Sequence, residues 1–186
     1  DPSFPVEPLT VVPFRGGYAV AMPGLQARVL LLLPAADAKT TWLEYEARGE
    51  THDATLWDIY DLRAGIAHIC AATSETFLPQ MLDYDQLGAV SFTKGCYTGQ
   101  ELVARVDSRG GNVPRHLRGL VVAGDEVPPV GAAIVTDPAG TAKVVGNVTS
   151  SARSPELGPI ALAFVHRTVE PPAEVDLCFG GRVRAR

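Results

Sequence analysis

Beyond Val113 the chain breaks into short β-prone runs punctuated by turn residues: Leu117–Val122, Ala132–Thr136, Ala142–Thr149, Ile160–Val165 and Glu174–Phe179. Runs this short can bury a face only by pairing with one another. That restricts the segment to a small antiparallel barrel or sandwich. Asp137-Pro138-Ala139-Gly140 and Gly180-Gly181 read as hairpin turns. Most polar residues of the segment also fall at turns, as Ser150 and Ser151 do. No acid, base and nucleophile gather there, so this part is expected to do no chemistry itself.

The first part has a different texture. Tyr18–Met22 and Arg28–Leu33 are apolar runs of strand length, and Pro23-Gly24 between them signals a hairpin. The opening Pro-rich residues read as extended chain or loop. Trp42, Leu43, Tyr45 and Glu46 then follow helical spacing, with Asp37 as the expected N-cap and Gly49 as the expected C′ residue. A second helix is expected from near Asp53 to near Cys70, because Leu56, Ile59, Tyr60, Arg63, Ile66 and Ala67 recur at threes and fours. Phe77-Leu78-Pro79-Gln80 breaks that pattern. The fold class is α+β, divided into residues 1–112 and 113–186, with the boundary near Asn112–Arg115.

Apolar residues make up 46% of the 186 and charged residues 20%, enough to bury a core without disulfides. The net charge is −5 and Lys and Arg form no run. Direct binding to nucleic acid or to an anionic membrane is therefore not expected. Cys70, Cys96 and Cys178 lie far apart, which suits free thiols in a reducing, cytoplasmic compartment. The longest apolar stretch, Val29–Ala36, is too short to span a bilayer. Asp1–Pro5 lacks the features of a signal peptide and an initiator Met, so a trimmed or cleaved product is expected.

Functional residue types are densest at Lys94-Gly95-Cys96-Tyr97-Thr98-Gly99-Gln100-Glu101. Two glycines allow the backbone to turn and to approach a ligand closely. Lys94 lies two residues from the sulfur, and a nearby ammonium favours the reactive thiolate. Gln100 and Glu101 carry an amide and a carboxylate able to bond a planar amidine-like edge. On residue types alone, Cys96 fits either an activated thiol or a small buried hydrophobe. Cys178, in an alternating strand, reads as core. His68 and Cys70 would point about 200° apart on a helix, and no metal site is expected from them or from His52, His116 and His166. Arg105, Arg109, Arg115 and Arg118 fit either a solvated face or partners of an acidic tail.

The Lys94–Glu101 stretch, continued by Leu102-Val103-Ala104-Arg105, resembles the signature of YgfZ-type folate-binding proteins, relatives of the glycine cleavage T-protein (an aminomethyltransferase). Trp57, Asp61–Gly65, Phe77–Gln80 and Gly88–Phe92 fall in that family's order and spacing. Gly146–Ser151 and Gly158–Ala163 resemble the C-terminal barrel of both branches. The likeness runs from about Phe14 to the end and corresponds to the family's C-terminal portion.

The resemblance implies that residues 1–112 are part of a T-protein-like folate-binding lobe and 113–186 a small antiparallel β-barrel. It implies tetrahydrofolate or a derivative as cofactor, at a site left incomplete because the family's N-terminal stretch has no counterpart here. It implies Cys96 as a functional thiol assisted by Lys94, and Trp57, Tyr97, Gln100, Glu101 and Arg105 as folate-site residues. Arg63 stands where many folate-binding relatives carry Glu, removing a carboxylate partner for a pterin. The implied function is support of iron–sulfur cluster assembly or repair, serving enzymes such as tRNA methylthiotransferases, with iron–sulfur client or assembly proteins as partners. No classical turnover is implied. The rival readings are a tetrahydrofolate-dependent one-carbon transferase and a non-catalytic binding scaffold.

Overall fold

A computed structural model describes residues 3–71, 73–136, 143–179 and 182–185. Asp1–Ala64 and Gly65–Arg186 group into two compact units. The helix-to-strand transition in sequence falls at Arg115, while the stretch before it, 65–112, groups with the strands that follow.

In the first unit, β1 (Val11–Phe14), β2 (Gly17–Met22) and β3 (Arg28–Leu32) form an antiparallel sheet in that order. The β2–β3 hairpin is the expected one. β1 was expected only as extended chain; it pairs with β2 through a tight turn at Arg15 and Gly16, both left-handed at φ 48° and 73°. Two left-handed central residues match the strand twist, which is why such turns close hairpins. Period-2 alternation buries Ala19 and Ala21 on one face and leaves Tyr18, Leu30 and Leu32 exposed on the other; Arg28, opposite Met22, shares that second face yet is buried by its own partners.

α1 (Ala35–Glu46) follows. Asp37 is not its N-cap: Pro34 holds that position, and Asp37 lies in the first turn, where a carboxylate still favours the helix dipole. Gly49 lies beyond the C-cap Ala47 and its successor, so it is not the C′ residue. Arg15 pairs with Glu44 at 2.5 Å and ties the β1–β2 turn to this helix.

α2 spans Thr55–Arg63, half the length expected from the periodicity. The amide of Thr55 donates to Asp53 Oδ1 at 2.9 Å, which starts the helix. Gly65, at φ 70°, ends it as a left-handed C′ residue. The apolar spacing continues to Ala67, but a left-handed glycine stops the helix whatever the pattern beyond it. His68, Ile69 and Cys70 consequently lie on irregular chain rather than on a helix.

The second unit opens with irregular chain, a 3₁₀ turn at Pro79–Leu82 and α3 (Gln100–Ser108). Six strands follow: β4 (Arg115–Val121), β5 (Ala133–Thr136), β6 (Lys143–Ser154), β7 (Gly158–His166), β8 (Val175–Cys178) and β9 (Arg182–Ala185). They run antiparallel in the order β4-β7-β6-β5-β8-β9. A bridge between Val122 and Ala185 joins the two ends of that order, closing the sheet as the expected barrel. The interior holds Leu120, Ile134, Val148, Ala163, Val165 and Leu177. The turns expected at Asp137–Gly140 and Gly180–Gly181 lie outside the described residues.

The Gly146–Ser151 element is explained by packing. A Cβ on Gly146 would collide with the Phe164 carbonyl of the neighbouring strand. A register shift falls between Val148 and Ser150, and Thr149 Oγ1 donates to Leu162 O at 3.0 Å across it. Ser151 Oγ donates to Pro128 O at 2.6 Å. These polar groups hold the barrel together. On its outer side, Phe77 stacks on Phe164 at 3.9 Å and anchors the 65–112 stretch.

Candidate functional site

Two surfaces carry the residues singled out in the sequence, one in each unit. In the first, Trp57 projects from α2 into an open groove of about 500 Å³, shared with Arg28, Val29, His52, Leu56 and Tyr60. Trp57 is half-buried, neither a deep core residue nor a free one. Arg28 forms the inner wall. Its guanidinium lies 4.6 Å from the Trp57 ring and 5.9 Å from the Tyr60 ring. Its Nη2 bonds Asp61 Oδ1 at 2.7 Å and donates to Pro23 O at 2.5 Å. Both side chains of this ion pair are nearly inaccessible, 5% for Arg28 and 6% for Asp61. Nε and Nη1 of Arg28 are buried and find no acceptor among the described residues.

In the second unit, the Lys94–Glu101 signature is the entry to α3. Gly95 and Gly99 both take left-handed conformations, at φ 97° and 88°, and Gly99 is the N-cap. A side chain at either position would strain the loop. The Tyr97 amide donates to Gln100 Oε1 at 3.0 Å, so the glutamine side chain turns back on the loop. Lys94 Nζ lies over the Tyr97 ring at 4.5 Å. Glu101 occupies the first turn of the helix, where its charge opposes the positive dipole end.

Tyr97, Gln100 and Glu101 line one cavity of about 350 Å³ together with Val90, Ser91, Phe92, Gly95, Val103 and Ala104. Lys94 and Cys96 sit on the same loop outside that lining. Arg105 lies one turn after Glu101, is exposed, and has no ion-pair partner among the described residues. Gln80 supports α3 from behind: its Nε2 donates to Val103 O at 2.8 Å, fully buried.

All three cysteines are exposed free thiols. The reading of Cys178 as core is corrected: in β8, Val175 and Leu177 take the inner positions and Cys178, at the strand end, faces out. The buried-hydrophobe alternative for Cys96 falls with it. Cys70 Sγ lies 3.4 Å from Thr73 Oγ1, whereas Cys96 carries no hydrogen bond among the described residues. The same residues contain no group of three or more His, Cys, Asp or Glu placed to hold a metal ion.

Sequence reasoning missed Arg28, which read only as the start of an apolar strand. Parity gave no signal, since Arg28 falls opposite Met22, on the face of the exposed Leu30 and Leu32 rather than that of Ala19 and Ala21; its burial goes with the Asp61 carboxylate that pairs with it. It also missed Asp83, left-handed at φ 53° where the 3₁₀ turn ends. Burial pushes the Asp83 carboxyl above its ordinary range, against the pull of Arg118 and His116.

Residues 115–186 match the family of glycine cleavage T-protein C-terminal barrel domains. Over 88 residues, 47% of this chain, the sequence is 42% identical to the tRNA-modifying protein YgfZ of Edwardsiella ictaluri, covering 27% of that relative's length. The fold superposes on the glycine cleavage system aminomethyltransferase T of Bartonella henselae with a TM-score of 0.62 and 21% identity, over 90% of this chain and 47% of that one. The chain thus spans under half the length of the relatives it matches. It resembles the C-terminal portion of YgfZ-type proteins, with an α+β fold ending in a T-protein-like barrel. No helix among the described residues is long and apolar enough to cross a membrane.

Proposed function

We propose that this chain is part of a folate-binding accessory protein that supports tRNA modification by assisting assembly or repair of iron–sulfur clusters in the modifying enzymes. The likeness to a tRNA-modifying relative supports the coarse reading. The observation that carries the finer one is Cys96: an exposed thiol without a hydrogen bond, held on a turn between two left-handed glycines at the head of α3. A thiol presented this way suits transient contact with a partner's cluster or cysteine better than a buried structural role. Lys94, in this reading, supplies positive charge on the same loop.

Folate, in the same proposal, takes its pterin to Trp57; Tyr97, Gln100, Glu101 and Arg105, in the other unit, are a separate candidate folate surface. Residues 1–112 contribute to the folate lobe, and the barrel from 113 onward offers a surface to clients. The working compartment is cytoplasmic, where three exposed thiols stay reduced.

The test is replacement of Cys96 by serine in cells that depend on this protein, reading methylthiolated tRNA. The expected result is a clear loss of that modification at unchanged protein level. Unaltered modification would overturn the role of Cys96.

A further inference from the structure

We infer that the Trp57 groove reads the oxo, acceptor-bearing edge of its ligand's ring, and that Arg28 does the reading. The inference rests on the folate proposal and deepens it by assigning the polarity of the site. The groove is large enough for a pteridine and its first substituent, within the usual range of small-molecule sites.

Unpaired donors lie just behind its wall. Arg28 has spent Nη2 on Asp61 and Pro23, while Nε and Nη1 remain buried with no acceptor among the described residues. Aromatic faces above a guanidinium attract its charge but do not accept in-plane N–H bonds. The missing partner is therefore an acceptor brought from outside the described set.

The acidic groups nearby do not compete for the role. Asp61 is committed to Arg28. Asp53 Oδ1 takes the Thr55 amide. Glu50 is almost fully exposed, 3.6 Å from His52. Among the described residues no free carboxylate is buried beside Trp57 to grip an amidine edge, and Arg63 adds another cation to α2. A heteroaromatic ring that stacks here gains by turning an oxo group, not an amino group, toward Arg28.

Nε and Nη1 are covered in the present arrangement, and the Trp57 ring, 4.6 Å from the guanidinium carbon, is the side chain that the inference has move to admit a ligand. Trp57 is half-buried and its emission should report that movement. The experiment uses the full chain carrying Trp42→Phe, which leaves Trp57 as the one tryptophan. Folic acid and aminopterin are titrated in parallel; they differ only in a 4-oxo against a 4-amino group.

The expected result is saturable quenching by folic acid and affinity for aminopterin lower by about tenfold or more, the penalty for meeting a buried donor with another donor. Equal or tighter binding of aminopterin overturns the inference and leaves the folate reading standing. Binding of neither compound overturns both. Arg28→Met should abolish the preference; a folded variant that keeps it would assign the discrimination to another group.

Discussion

Replacing Asp61 by alanine strips the Arg28 guanidinium of its counter-charge and leaves the Pro23 carbonyl as its one acceptor among the described residues. The arginine is 7% exposed and cannot reach water without reopening the β3–α2 packing. Breaking one partner of a buried ion pair costs about 3–5 kcal/mol, mostly because an uncompensated charge stays behind. A 64-residue unit at roughly 0.05–0.15 kcal/mol per residue holds only about 3–10 kcal/mol in all. The substitution should therefore remove a large share of that unit's stability. Both tryptophans, Trp42 and Trp57, lie in it. Urea unfolding followed by tryptophan emission consequently reports this unit and not the barrel. With a slope of about 1 kcal/mol/M, the midpoint should fall by about 3 M or the unit should be unfolded outright. The double variant Arg28→Met/Asp61→Leu should recover to within about 2 kcal/mol of the parent, since a packed apolar pair avoids the desolvation cost. A midpoint shift below about 1 M for Asp61→Ala would refute the argument. So would a double variant no better than the single one.

Cys96 should alkylate with iodoacetamide faster than Cys70, whose sulfur lies against Thr73, and peptide mapping over a time course measures the ratio. Cys96→Ser should leave stability within about 0.5 kcal/mol, as expected of an exposed side chain. Gln80→Ala removes the buried bond to Val103 O and should cost about 1–3 kcal/mol in the second unit. Faster amide exchange along α3 should accompany it, and unchanged exchange would show that the bond does not hold the helix. Asp83→Asn keeps the left-handed backbone, which Asn tolerates, and removes a carboxyl whose folded-state pKa is raised chiefly by burial. Stability from such a group is present below the ordinary carboxylate range and lost as pH rises through the raised value. The variant should therefore melt higher than the parent at pH 7, and the gain should shrink at pH 3.

The barrel was the more legible half because its signals are local. Alternating runs, turn residues and short spacing all point the same way, and closure by the Val122–Ala185 bridge needs no further instruction. The α2 error has the opposite cause. Apolar spacing runs past Gly65 to Ala67, yet one left-handed residue outweighs the two periodic positions beyond it. β1 was missed because Pro13 and the prolines before it suppress a strand signal. As an edge strand, β1 tolerates Pro13 where a central strand would not.

The candidate site divides along the same line. Lys94–Glu101 was legible as a contiguous motif, and its glycines and Gln100 turn out to shape the start of a helix. The Trp57 groove is assembled from β3, the 50–54 segment and α2, so no window of sequence contains it. Arg28 and Asp61 stand 33 positions apart and each, alone, passes for an ordinary surface charge. Together they form a buried pair that uses only part of the guanidinium's donor capacity. A pair built solely for stability gains from filling every donor, and an apolar pair of similar size would avoid the cost altogether. Two donors left over at the wall of an aromatic groove are better explained by an acceptor that arrives with a ligand than by the fold itself.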